Sequence, residues 1–333
     1  MALSRGKPWA IRIVLFALAL LCLATLAGAS YQAIAWRVDD QRLRRPGRLV
    51  SAGELRLNLY CTGQGAPTVV LEAGLADSLD TWRHVQPDIA RFARVCSYDR
   101  AGYGYSDPGP MPRTSDRIAS ELHAALESAG EKQPYLLVGS SFGGYNVRVF
   151  NGKYSDQVGG LVLVDATEED QYRLLPRAWR NLGAATLRRA KRQAFWAPLY
   201  INLGLARLQL RLQGQQASPV LLQSKYLKAR TSEFENIEVS AEQARSADHI
   251  GDKPLVVLTA SRAIDAALKA ALSKEDQTAY EQTWVNDLQL RLAQLSKRGR
   301  RVVVPNSGHD MPTDRPDAIV TTVRELCAPQ NQP

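Results

Sequence analysis

Seven short apolar or β-branched runs, separated by helical and turn-forming stretches, set the narrowest limit on what this 333-residue chain can fold into. They are Leu55–Cys61, Thr68–Glu72, Val95–Tyr98, Tyr135–Gly139, Val158–Asp165, Leu255–Ala260 and Arg301–Pro305. The first alternates with period two, while several others are apolar throughout, as strands buried on both faces are. Helical patterns cover Asp80–Phe92, Ser115–Ala129, Phe142–Lys153, Glu275–Lys297 and Asp314–Cys327. Strands alternating with helices predict an α/β architecture, a mostly parallel central sheet flanked by helices. The rhythm breaks over residues 166–253, which have helical composition and no strand. That stretch is expected as a helical lid inserted between two sheet strands, dividing the core into parts 49–165 and 254–333.

Charge is unevenly placed. The chain is +9, with 42 Lys and Arg against 33 Asp and Glu, a balance that raises nucleic acid or a membrane surface as partner. Residues 1–48 hold eight basic and two acidic side chains, residues 171–230 hold twelve basic and none acidic, and the remainder is acidic at −9. With an acidic body, no nucleic-acid partner is expected. A basic flank, 1–12, precedes the uncharged run 13–36, whose 24 residues reach about 36 Å as a helix against a hydrocarbon core of about 30 Å. A single-pass membrane anchor is therefore predicted for 13–36, followed by a charged linker, 37–48.

Ala27-Gly28-Ala29 offers the small-x-small site of a cleaved secretory signal. The apolar stretch Ile13–Ala29 is longer than the usual signal core, however, and Tyr31, Ile34 and Trp36 continue it toward an interface. Arginines 37, 42, 44, 45 and 48 would, by the positive-inside rule, hold the body in the cytoplasm. Large domains translocate regardless of flanking charge, and the expectation is an extracytoplasmic body. Cys61 and Cys96 are expected as buried apolar fillers rather than a bridge, and no zinc-ligand spacing is present. In 171–230, basic residues interleave with Trp179, Phe195, Trp196, Leu199 and Tyr200, the composition of helices that lie on anionic membrane. An ordinary cap with a solvated basic face would read the same way.

Gly139-Ser140-Ser141-Phe142-Gly143 follows one strand run directly and opens a helix, the setting in which G-x-S-x-G forms a nucleophile elbow. The register selects Ser141, because Ser140 would put Val138 and Phe142 at the glycine positions. A serine hydroxyl needs a base. Of the four histidines, His309 follows the last strand in Asn306-Ser307-Gly308-His309, at the edge where parallel α/β sheets bind ligands. His84 and His123 fall on predicted helices and His249 in the insertion.

With these positions in hand, the chain resembles α/β-hydrolase fold serine hydrolases related to proline iminopeptidase and bacterial esterases. The matching segments are Glu72-Ala73-Gly74, Asp99-Arg100-Ala101-Gly102-Tyr103-Gly104-Tyr105-Ser106, the elbow, and Gly308-His309. The resemblance implies an oxyanion hole from the backbone N–H groups of Phe142 and Leu75, and structural roles for Asp99 and Arg100. Ala73 stands where many members carry histidine, and Ser140 where many carry histidine or tyrosine. The triad acid has two candidates. Family members most often place it near Ala263, where the nearest carboxylate is Asp265, whereas some place it at the end of the preceding strand, here Asp165. Asp165 is the assignment, since a carboxylate closing a buried strand needs a partner such as an imidazole N–H.

The expected protein is thus a membrane-anchored serine hydrolase of carboxylic esters, including lipid-like ones, with Ser141, His309 and Asp165 as triad and no metal or organic cofactor. An aminopeptidase or amidase of the same fold, with Glu168, Glu169 or Asp170 anchoring a substrate amine, and a non-catalytic binding protein are the alternatives.

Overall fold

The computed structural model describes residues 8–42, 46–213, 222–247 and 250–328. One eight-stranded sheet runs in the order β1-β2-β4-β3-β5-β6-β7-β8. Its strands are β1 Arg48–Ala52, β2 Leu55–Thr62, β3 Thr68–Glu72, β4 Arg94–Asp99, β5 Tyr135–Ser140, β6 Val158–Val164, β7 Leu255–Ala260 and β8 Gly299–Val304. The pairs β1·β2 and β2·β4 are antiparallel and the rest parallel, so the period-two run falls on an antiparallel strand. The central strands are buried on both sides. Val70 and Leu137 join one apolar cluster while Val69, Leu71, Leu136 and Val138 join the other, because successive side chains point to opposite faces.

A long helix α1 (Pro8–Arg42) precedes the sheet, and α2 (Gln86–Ile89), α3 (Ser115–Ala129) and α4 (Gly143–Lys153) lie between the early strands. Between β6 and β7 come α5 (Gln171–Leu174), α6 (Arg177–Asn202), α7 (Leu205–Leu212), α8 (Ser224–Glu235) and α9 (Ile237–Ser246). α10 (Ala266–Ala271), α11 (Lys274–Glu281) and α12 (Gln289–Ala293) separate β7 from β8, and α13 (Met311–Asp314) and α14 (Pro316–Cys327) close the chain.

Several elements depart from the local sequence pattern. β1 lacks a strong apolar run and forms by pairing with β2 and packing on α3. The expected helix Asp80–Phe92 is a 3-10 turn at Leu79–Trp82 and the short α2, interrupted before Pro87, so His84 sits in a turn. The expected helix over 275–297 contains a π-helical stretch, Gln282–Leu288.

One expectation is overturned. Cys61 and Cys96 are joined by a disulfide, not held as separate fillers. They are direct partners across the antiparallel β2·β4 pair, with Cα atoms 4.1 Å apart. That distance is set by strand registration, which a separation of 35 residues in the chain does not reveal.

Candidate active site

Ser141 sits on the turn between β5 and α4 at φ 51°, in the left-handed region that strains any residue with a β-carbon. Packing holds it there. A β-carbon on Gly139 would come within 2.6 Å of the Gly143 carbonyl oxygen, and one on Gly143 within 2.6 Å of the Glu72 carbonyl oxygen. Only glycines let the strand, the turn and the loop after β3 approach so closely. The Ser141 N–H donates to the Val164 carbonyl at 3.1 Å, and its own carbonyl accepts from Gly144 at 2.9 Å and Thr167 at 3.1 Å.

His309, on the turn after β8, has Nε2 2.9 Å from the Ser141 hydroxyl and Nδ1 2.6 Å from Asp165 Oδ2. Asp165 follows β6 at φ 41° and is fully buried. Its second oxygen accepts from the Ala260 N–H at 3.0 Å and the Trp284 indole N–H at 3.1 Å. Asp265 is elsewhere: it caps α10, accepting from the Leu268 N–H at 2.7 Å, and makes no hydrogen bond to His309 among the described residues. Trp284 also meets the His309 ring edge to face, at 5.9 Å between centroids. No sequence signal marked Trp284, since a tryptophan on a helix is ordinarily core.

Partial desolvation of the half-exposed His309 ring disfavours the imidazolium, but the hydrogen bond and charge of Asp165, followed by the charges of Asp77 and Asp265, outweigh it and raise its pKa. A general base must be neutral, so the base role expected of His309 predicts activity that rises with pH through a midpoint above the ordinary histidine value of 6.5. Asp77→Asn removes a charge that favours the imidazolium and should move that limb of the kcat/KM profile to lower pH. A midpoint unchanged in the variant would show that Asp77 does not act on His309.

The loop after β3 runs beside Ser141, and a β-carbon on Gly74 would lie 3.3 Å from Ser141 Cβ. Among the described residues, neither the Leu75 nor the Phe142 N–H donates to a protein acceptor, and Phe142 stands at the start of α4, where helical N–H groups lack partners. Leu75, Ser141 and His309 border a cavity of 840 Å³, together with Asp77, Asp80 and Asp310. None of the described residues bordering it belongs to the insertion between β6 and β7.

Arg100 holds the Leu75 loop from behind. Its buried guanidinium donates to the carbonyls of Ala73 and Gly74, each at 2.8 Å, and to Glu72 at 3.0 Å. Its other N–H groups reach Glu233 on α8 at 2.9 and 3.0 Å. Glu72 also accepts from Tyr98 and from Asn146 on α4, and Glu233 from Tyr103 at 2.6 Å. The insertion thus meets the site through a buried ion cluster.

The acidic run considered as an amine anchor is engaged elsewhere. Glu169 pairs with Arg148 at 2.6 Å, and Asp170 with Arg173, Arg245 and Arg291. Glu168 is buried, and burial with Glu169 nearby pushes its pKa up to about 7. His123 stacks on Tyr154 from α3, and His249 lies outside the described residues. Cys61, Cys96 and Glu131 bring three potential metal-ligand atoms within 4.8 Å, but the sulfurs are bonded to each other and Glu131 is held by Arg94.

Residues 67–316 match the family model of the α/β-hydrolase fold. The chain belongs to this family. YqjL of Bacillus subtilis, itself uncharacterized, is 25% identical over 269 residues, covering 80% of this chain and 86% of that one. In overall structure, the chain is similar to a thermophilic esterase from Thermogutta terrifontis, with a TM-score of 0.57 and 21% identity over 84% of this chain and 96% of the esterase. It is similar also to a haloalkane dehalogenase from Bradyrhizobium elkani, with a TM-score of 0.61 and 16% identity over 84% of this chain and 97% of the dehalogenase. Family members are hydrolases of different bonds, so fold likeness does not select the reaction and the site must.

Proposed function

We propose that the protein is a membrane-anchored serine hydrolase that cleaves carboxylic esters through an acyl-enzyme. The hydrogen-bonded series Ser141–His309–Asp165, beside two backbone N–H groups that meet no protein acceptor among the described residues, carries this reading. The Ser141 oxygen attacks the acyl carbon while His309 Nε2 takes its proton. Asp165 accepts the Nδ1 proton in a hydrogen bond, holding the tautomer in which Nε2 is basic. The negative oxygen of the tetrahedral intermediate meets the Phe142 and Leu75 N–H groups, such a donor contributing roughly 3 to 4 kcal/mol. His309 returns the proton to the leaving alcohol. Water, deprotonated by the same imidazole, then releases the acid and restores Ser141.

A fluorophosphonate probe tests the chemistry. Wild type should be labelled and hydrolyse short p-nitrophenyl esters, whereas unlabelled, inactive wild type would favour a non-catalytic binding protein. Engagement of Glu168, Glu169 and Asp170 by other groups supports esters over aminoacyl amides. Asp77 and Asp310 at the cavity keep a second reading, an amidase whose substrate carries an amine. Faster turnover of aminoacyl amides than of uncharged esters, with a raised KM in Asp77→Asn, would select it.

For placement, α1 carries an apolar stretch, Trp9–Asp39, whose most apolar 18 residues have a mean hydropathy of 2.5, long enough to cross a bilayer as a single-pass anchor. The Cys61–Cys96 disulfide supports an extracytoplasmic body, since such bonds persist in oxidising compartments. Protein taken directly from membranes should expose Cys22 and Cys327 to alkylation under denaturing conditions, with Cys61 and Cys96 reacting only after reduction. Alkylation of all four without reductant would remove this support.

A further inference from the structure

We propose that the corner between α6 and α7 is a second membrane-inserted element, its exposed apolar side chains lying among lipid acyl chains alongside α1. The inference rests on the reading of α1 as a membrane span.

The contact between corner and anchor carries the argument. A β-carbon on Gly28, within α1, would meet the Leu203 carbonyl oxygen at 2.5 Å, and one on Gly204 would meet the Tyr31 ring at 2.8 Å. Two glycines thus bring the α6–α7 turn into backbone contact with the anchor, as small residues do between membrane helices. Arg207 fastens α7 farther along, bonding Asp39 at 2.6 Å and Gln32 at 3.3 Å. Gly28 precedes Trp36 by eight residues, about 12 Å along a helix, so the contact lies well inside the apolar run rather than at its end. If α1 crosses the bilayer, what touches Gly28 is at bilayer depth.

The side chains around that contact fit the setting. Leu205 and Leu208 on α7 are 44% and 49% exposed and Leu212 is 81% exposed, while Phe195, Trp196 and Leu199 near the end of α6 are exposed by more than half. A patch of this size on a soluble surface would be costly, and it is continuous with the exposed apolar surface of α1. A largely apolar groove of 550 Å³, bordered by Leu21, Ala24 and Gly28 from α1 and by Leu203, Leu205 and Leu208 from the corner, runs between the two, with the Arg211 guanidinium at its edge over the Tyr31 ring. Arg188, Arg189, Lys191 and Arg192 are exposed on the preceding turns of α6, at the level where anionic headgroups would meet them. Bilayer lipid is the occupant that satisfies the apolar corner, the groove and the basic collar together.

The test places an environment-sensitive NBD probe on single cysteines of the full-length chain, with Cys22 and Cys327 replaced by alanine, in anionic phosphatidylcholine/phosphatidylglycerol vesicles. Probes at Leu208→Cys and at the more exposed Leu212→Cys should emit to the blue of a probe at Asp252→Cys on the body, and lose intensity when doxyl-labelled lipids are included. A probe at Leu18→Cys reports on the anchor. Water-like emission at 208 and 212, with quenching at 18, overturns the inserted corner and leaves the anchor standing. No quenching at 18 overturns the anchor and the inference with it. Blue-shifted but unquenched emission at 208 and 212 shows that protein, such as a second copy of the chain, covers the corner, and also overturns the proposal.

Discussion

Ser141→Ala should lower kcat by about 10⁶ and Asp165→Asn by about 10⁴, while Asp265→Asn stays near wild type. The three differ because of where each side chain stands. In the proposed mechanism Ser141 supplies the bond-forming oxygen, 2.9 Å from His309 Nε2. Asp165 is buried and receives His309 Nδ1 at 2.6 Å, so an asparagine there can offer its amide N–H and favour the tautomer whose Nε2 carries the proton. That tautomer cannot take the serine proton. Asp265 caps a short helix and acts on His309 only through its charge. Steady-state rates on one ester decide the matter, with KM expected to move far less than kcat. A large loss in Asp265→Asn beside an active Asp165→Asn would transfer the acid's role to the strand β7 side.

Arg100→Met should destabilise the fold by about 3 to 5 kcal/mol, and Glu233→Gln by less, about 1.5 to 3 kcal/mol. The ordering follows from charge. Arg100 lies between Glu72 and Glu233, and all three are buried. Removing the cation leaves two carboxylates with neutral hydrogen-bond donors but no countercharge from Arg100, whereas neutralising Glu233 leaves the Arg100–Glu72 pair intact. Burial already raises the Glu72 pKa, with the nearby Arg100 charge opposing that rise. In Arg100→Met the folded-state pKa of Glu72 should therefore lie well above its unfolded value. The stability deficit is then small at acid pH and grows as pH rises through the folded pKa. Denaturant unfolding of the detergent-solubilised chain at two pH values reads both the order and the sign. A deficit that shrinks as pH rises would rule out the uncompensated carboxylates as its cause.

The same cluster gives Arg100→Met a second expected effect, because Arg100 is what binds the Ala73 and Gly74 carbonyls next to Leu75. The variant should lose turnover in excess of its loss of fold, as the loop bearing one expected oxyanion donor is released.

Much of the fold was legible in local pattern. The apolar runs became strands β2 to β8, and their alternation with helices became the parallel part of the sheet. At the elbow, five residues specified a strand, a strained turn and a helix, since glycine placement and the apolar run before it act over a few bonds. His309 was legible from its position after the last strand. The disulfide, Trp284 and the Arg100–Glu233 pair were not, and Asp165 stood beside a rival. Each depends on which strands become neighbours and how far one slides along another. Asp165 and His309 are 144 residues apart in the chain, and Arg100 and Glu233 are 133 apart.

By itself the sequence determined an α/β sheet with a serine elbow at one strand end, a histidine after the last strand and an apolar run at the amino end. These follow from periodicity, glycine and proline placement and hydropathy, which act between residues close along the chain. Only the tertiary structure decided that Asp165 rather than Asp265 meets the histidine, that Cys61 finds Cys96, and that α7 lies against α1. Those pairings follow from packing and strand registration, which bring together groups that no local pattern relates.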